Sequence, residues 1–211
     1  MAKEKPDLNA AYALQTPQDS VSLYRDWAET YDQSFAEQSD YAYPETIARV
    51  FSEHARIADD PVLDVGAGTG LVGSALARRG NRTIDGADIS PEMLAVARTK
   101  KAYRALFTCD LTQRISPGDA TYGGIVSAGT FTHGHVGPDA FDELVRVARP
   151  GALFVLGINA EFFDARGFGR KLAEIDPHIV GLNLRQYPIY GQGADKAHRD
   201  DKASVAIFRK R

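Results

Sequence analysis

The sequence predicts an α/β fold built on an open, largely parallel sheet with helices on both faces. Three observations carry that expectation. The stretch Pro61-Val62-Leu63-Asp64-Val65-Gly66-Ala67-Gly68-Thr69-Gly70-Leu71 reads as a short buried strand, a glycine-rich turn and a helix start. Val62, Leu63 and Val65 form the continuous apolar run of a strand covered on both faces. Thr83-Ile84-Asp85-Gly86-Ala87-Asp88-Ile89 then reads as a second strand that ends in an acid, Asp88. From there, strand-like apolar runs and amphipathic helical segments alternate along the chain, the pattern of βα units.

The remaining elements follow in order. Residues 1–19 are polar, carry Pro6 and Pro17, and read as a flexible arm on which Tyr12 and Leu14 are the candidate packing groups. Val21, Leu23, Tyr24, Trp27, Ala28 and Tyr31 recur at helical spacing over 20–35. A second helix opens at Pro44, carries Ile47, Val50, Phe51 and Ile57, and stops before Asp59-Asp60-Pro61. Together 20–58 form a helical lid ahead of a core over 59–211, in a single domain. Helices are expected over 71–79, closed by Gly80, over 91–100, over 139–148 and over 165–176. Strands are expected over 105–108, 122–128 and 152–158, with a closing hairpin over 181–187 and 203–209. Residues 127–137 read as a loop after the fourth strand, and Arg149-Pro150-Gly151 as a turn.

Bulk properties narrow the function classes. The 211 residues suffice for one domain with a full core. A formal charge of −3 gives no basic field to attract nucleic acid or an anionic membrane. The single cysteine, Cys109, excludes an intrachain disulfide framework and suits a reducing compartment. No apolar run reaches the ~20 residues of a membrane span, and residues 1–7 lack the apolar core of a signal peptide. A cytoplasmic protein is expected. His133-Gly134-His135 is the densest histidine pair, yet no zinc-type cluster accompanies it, so no metal is expected.

The glycine turn carries the functional signal. Gly66, Gly68 and Gly70 permit positive φ and close approach of a ligand, and the following helix N-terminus faces the turn. Asp88 lies 22 residues after Gly66, a spacing suited to accepting hydrogen bonds from ribose hydroxyls. The dinucleotide fingerprint would place its third glycine at position 71, where Leu71 stands. The Asp64-x-Gly66-x-Gly68-x-Gly70 pattern instead resembles motif I of the class I S-adenosylmethionine (SAM)-dependent methyltransferases. Asp88-Ile89-Ser90-Pro91-Glu92-Met93-Leu94 resembles the second motif of that family, a ribose-binding acid before a Ser-Pro helix start. Trp27-Ala28-Glu29-Thr30-Tyr31-Asp32 is similar to the family's entrance helix. Over 27–159 the chain most resembles the Williams–Beuren-region methyltransferase-like proteins, through Asp85-Gly86, Phe131-Thr132-His133-Gly134-His135-Val136 and Glu143-Leu144-Val145-Arg146-Val147.

The resemblance implies a Rossmann-like seven-stranded sheet, mostly parallel with an antiparallel last strand. It also implies SAM as cofactor, with S-adenosyl-L-homocysteine as product. Asp64, Gly66, Ala67 and Gly68 would hold the methionine part, Asp88 the ribose, and Ile89, Met93, Asp110 and Leu111 the adenine side. Tyr31 would lie over the cofactor and Ser127 beside it, with Tyr24 a weaker candidate. Methyl transfer needs a general base only when the acceptor must lose a proton, and His133 and His135 are the candidates for that role or for substrate contact. The expected acceptor is a small molecule, met by a monomer or homodimer. Two rivals stand beside this reading. An NAD(P)-dependent oxidoreductase would need a hydride-site pair such as Tyr/Lys. A non-catalytic module would keep the SAM pocket without turnover.

Overall fold

The computed structural model describes residues 10–11, 14, 16–132 and 136–211. Its helices are α1 (Pro17–Trp27), α2 (Tyr43–His54), α3 (Leu71–Arg79), α4 (Pro91–Thr99), α5 (Ala140–Val147), α6 (Ala160–Ala165) and α7 (Phe168–Glu174). Its strands are β1 (Val62–Val65), β2 (Ile84–Asp88), β3 (Ala105–Thr108), β4 (Tyr122–Phe131), β5 (Ala148–Asn159), β6 (Ile179–Pro188) and β7 (Lys202–Lys210). A π-helical turn, Asp32–Glu37, follows α1, and a 3-10 turn, Ile57–Asp59, precedes β1.

The seven strands form one sheet in the order β3-β2-β1-β4-β5-β7-β6. All pairings from β3 to β5 are parallel, while β7 runs antiparallel to both β5 and β6. Alternate strand residues feed two separate cores. Phe154, Leu156, Ala206 and Phe208 meet α5 and α7 on one face. Leu153, Val155, Val205 and Ile207 meet α2, α3 and the aromatic lid on the other. The period-2 side-chain alternation of a strand thus builds both layers at once. The strand order reverses between β1 and β4, and in such sheets the crevice at that reversal is the ligand site.

Local chemistry explains most boundaries. Thr16 caps α1 by accepting the Asp19 N–H (3.2 Å), and Asp19 returns the bond to the Thr16 N–H (3.0 Å), so the helix starts before Ser20. Ser90 caps α4 through the Met93 N–H (3.2 Å), as the Ser-Pro start implied. Four expectations are corrected. The helix expected over 165–176 is shorter, α7 over 168–174, because Gly167 at φ +79° separates it from α6 over 160–165. The strand expected to end at Ala128 continues to Phe131, because a register shift between Ser127 and Phe131 lets Phe131 pair with Ile158. Residues 149–151 lie within β5 rather than forming a separate turn. Ile57 lies beyond α2 and is 97% exposed, not part of the lid's apolar face.

Candidate functional site

The carboxyl ends of β1, β2 and β4 meet at the glycine turn. Ala87 at the end of β2 stands beside Val65, and its carbonyl accepts the N–H groups of Gly66 (2.8 Å) and Ala67 (3.0 Å). The Gly68 N–H goes to Asp88 Oδ2 (2.8 Å), and the Gly70 N–H to the Ala67 carbonyl (2.8 Å). A phosphate cradle needs such donors free and pointing at the ligand. Here those of Gly66, Ala67, Gly68 and Gly70 are spent internally, and a carboxylate sits among them. The turn favours a ligand that brings donors and positive charge.

Two glycines have distinct reasons. At Gly66 (φ +67°) a Cβ would lie 2.0 Å from Thr130 Oγ1, so the turn can rest on β4 only without a side chain. Gly68 (φ +53°) has open space above it, so its requirement is conformational and its outward face is left for a ligand.

Asp88 ends β2 with both oxygens engaged, Oδ2 by Gly68 and Oδ1 by the Ser90 N–H (2.8 Å). Burial pushes its pKa above the usual carboxylate range, and the backbone N–H groups of Ser90 and Gly68 oppose that. These bonds point the carboxylate along the cleft, where Ile89, Met93, Asp110 and Leu111 also line the wall. Asp110 accepts the Thr112 N–H (2.8 Å) and hydroxyl (2.7 Å) on Oδ1, so it closes a loop turn as well as facing the cleft. Cys109 lines the same wall, and burial raises its thiol to about 12, which leaves it a packed neutral group rather than a nucleophile.

Asp64 and Ser127 lie elsewhere. Asp64 is fully buried beneath the turn, accepts the Tyr103 hydroxyl on Oδ2 (2.7 Å), and has no hydrogen-bond partner on Oδ1 among the described residues. The Ser127 hydroxyl is also buried and lies within bonding distance of the Val65 carbonyl and the Thr130 hydroxyl (both 2.8 Å), tying β4 to β1. Neither side chain lines the cleft, whereas Gly66, Ala67 and Gly68 do. His133 and His135 lie outside the described residues.

The lid covers the cleft with aromatic rings. Tyr24, Tyr31, Phe35 and Tyr41 line it, and Tyr31 packs 4.9 Å from Phe35 and 5.2 Å from Trp27, centroid to centroid. Trp27 itself is core, 1% exposed, with its indole N–H donating to Ser34 Oγ (2.9 Å). Burial pushes the Tyr24, Tyr31 and Tyr41 hydroxyls well above the ordinary phenol range, so all three stay neutral. The lid is pinned at Asp32, whose Oδ1 accepts the Thr69 hydroxyl (2.5 Å) and whose Oδ2 pairs with Lys100 Nζ (2.5 Å).

Several lining residues escaped the sequence reading, among them Tyr41, Tyr43, Thr130, Asn159 and Tyr190. Asn159 offered a signal, being a polar residue at the carboxyl end of a strand. Tyr190 offered none, because it comes from the long β6–β7 connection.

Comparison with known proteins bears on the fold. A methyltransferase-domain family matches residues 62–151, from β1 into β5. Human methyltransferase-like protein 27 is 30% identical over 156 residues, which take in 71% of this chain and 61% of that protein. The chain therefore spans about three-fifths of that relative's length. A TehB-like SAM-dependent methyltransferase from Corynebacterium glutamicum shares the fold at a TM-score of 0.61 and 24% identity, over 90% of this chain and 99% of that one. A Methanococcus maripaludis structure assigned to the SAM-dependent methyltransferases gives a TM-score of 0.61 at 19% identity, over 88% and 91%.

Proposed function

We propose, from the methyltransferase-domain match over residues 62–151 and the fold shared with SAM-dependent methyltransferases, that the chain is a class I SAM-dependent methyltransferase that transfers a methyl group from SAM to a small-molecule acceptor. The observation that carries this reading is the glycine turn, with its N–H groups spent internally and Asp88 beside it. Such a turn suits a cationic, hydroxyl-bearing nucleoside better than a dinucleotide pyrophosphate.

When bound, SAM supplies an activated methyl group on a sulfonium sulfur, so the protein's work is positioning and exclusion of water. Asp88 accepts from the ribose hydroxyls. Ile89, Met93 and Leu111 sandwich the adenine, and Asp110 accepts from its amino group. Gly66, Ala67 and Gly68 give the methionine part room against the backbone. Asp64 acts through the turn it underlies, and Ser127 by holding β4 against β1. Tyr31 closes over the ligand from the lid. His133 and His135 follow β4 and take the roles of base or acceptor contact. The protein acts in the cytoplasm, as a monomer or homodimer, without a nucleic-acid or membrane partner. Among the described residues no helix is long and apolar enough to cross a membrane.

Calorimetry with SAM, S-adenosyl-L-homocysteine and NAD tests the cofactor, and radiolabelled methyl transfer into a metabolite extract tests turnover. Binding of the first two without NAD is the expected result. Preference for NAD would overturn the reading, and binding without any transfer would leave a SAM-binding module.

A further inference from the structure

Beneath the lid, part of the same cleft forms a ring-walled chamber lined by Phe35, Tyr41, Tyr43 and Tyr190. Centroid distances are 5.1 Å for Phe35–Tyr41, 5.8 Å for Tyr41–Tyr190, 6.3 Å for Phe35–Tyr190 and 6.5 Å for Tyr41–Tyr43. The rings come from the π-helical turn (Phe35), the connection after it (Tyr41), the start of α2 (Tyr43) and the β6–β7 connection (Tyr190), so chain proximity alone does not assemble them.

Asp40 holds them together. Its carbonyl accepts the Gly191 N–H (2.7 Å) and its Oδ2 accepts the Gly193 N–H (2.9 Å). A Cβ at Gly191 would lie 2.1 Å from that carboxylate oxygen, so only glycine admits the clasp. The clasp sets Tyr41, adjacent to Asp40, against Tyr190, adjacent to Gly191.

Tyr43 supplies the independent sign of a ligand. It is 2% exposed, lines the chamber, and its hydroxyl has no hydrogen-bond partner among the described residues. Gly157 of β5 makes room for it, since a Cβ there would stand 1.9 Å from the hydroxyl. A buried polar group without a partner is rare and calls for a ligand or water to satisfy it.

We propose that this chamber is the acceptor subsite and takes a flat, uncharged arene carrying a hydrogen-bonding heteroatom, which pairs with the Tyr43 hydroxyl. The proposal rests on the SAM-dependent reading above. The walls offer planar apolar area suited to edge or offset ring contacts. No lysine or arginine is among the described lining residues, so an anionic acceptor would be buried uncompensated. A cationic acceptor would face the sulfonium, and a protonated amine has no lone pair to give. In the transfer, the acceptor heteroatom's lone pair forms the bond to the methyl carbon. The carbon–sulfur bond breaks with its electron pair on sulfur, and any proton on the heteroatom passes to water.

The test is calorimetry on the full chain saturated with S-adenosyl-L-homocysteine, using 2-naphthol, quinoline, naphthalene, 2-naphthoate and cyclohexanol as probes. The expected ranking puts 2-naphthol and quinoline about tenfold or more ahead of 2-naphthoate and cyclohexanol. Tyr43→Phe should weaken 2-naphthol about tenfold, leaving naphthalene and S-adenosyl-L-homocysteine unchanged. Equal affinity for 2-naphthoate or cyclohexanol overturns the proposal, as does an unchanged 2-naphthol affinity in Tyr43→Phe. The ranking on the unaltered chain decides the question even where the variant does not fold. Should the chain bind no S-adenosyl-L-homocysteine, the cofactor reading falls and takes this proposal with it. Homocysteine-nucleoside binding without any arene binding overturns the subsite alone.

Discussion

Tyr103 shows how one side chain can explain several others. Its hydroxyl donates to Asp64 Oδ2 (2.7 Å) and accepts the Gly73 N–H (3.1 Å). A Cβ at Gly70, Gly73 or Gly86 would come within 2.9 Å of its ring, so three glycines exist partly to admit it. Tyr103→Phe should cost about 1–3 kcal/mol of stability, read by urea denaturation, because it strands the buried carboxylate and the Gly73 N–H. Asp64 itself is a carboxyl that burial raises to about 7, against the opposing hydrogen bond from Tyr103. The unfolded chain releases this proton near pH 4 and the folded chain retains it to about 7. Folded protein therefore holds the extra proton between those values, and stability from this group falls as pH rises through the window. Asp64→Asn should gain about 2–3 kcal/mol on the wild type between pH 5 and pH 8, in paired urea melts. Equal pH slopes for the two proteins would contradict the assignment. At Asp88 the expected loss is in binding. Asp88→Ala should weaken SAM by about 1–3 kcal/mol in calorimetry, through a lost charge-assisted bond and a Gly68 N–H released from the turn.

Among the elements, the lid invites the clearest experiment. The π-helical turn Asp32–Glu37 is joined to the glycine turn through Thr69 and to the end of α4 through Lys100, both by Asp32. Asp32→Ala should speed amide exchange over 32–37 and raise the SAM dissociation rate several-fold, with the sheet's protection unaltered. Unchanged exchange there would mean that the aromatic packing of Phe35 and Tyr31 suffices to hold the lid. Elements with strong local signals were legible to within a residue or two: β1 and β2 from apolar runs, α3 from its glycines, α4 from Ser90-Pro91. The misreadings share a cause. The extension of β4 to Phe131 depends on pairing with Ile158, and the exposure of Ile57 depends on a 3-10 turn that ends at Asp59. Neither partner is visible within a local window.

For the molecule as a whole, the sheet's strand order puts the reversal between β1 and β4 beneath the cleft. A ligand there touches the lid, three strand ends and the β6–β7 connection, so binding should stabilise the entire cooperative unit. At about 100 times its dissociation constant, SAM should add about 2.7 kcal/mol, a rise in melting temperature of roughly 5–11 °C. Differential scanning should show that rise with SAM or S-adenosyl-L-homocysteine and none with NAD.

Read alone, the chain of residues sufficed for the α/β class, the seven strands, the glycine turn and Asp88 as its companion acid. Those features rest on short-range chemistry: backbone freedom at glycine, caps, and apolar runs of the length of one strand. Folding settled the rest. It sent the N–H groups of the turn to Ala87 and Asp88, drew Asp64 and Ser127 out of the cleft, and set Tyr41, Tyr43 and Tyr190 around one chamber. Those outcomes depend on contacts between residues far apart in the chain, as when Asp40 clasps Gly193, and no nearest-neighbour pattern encodes such a meeting.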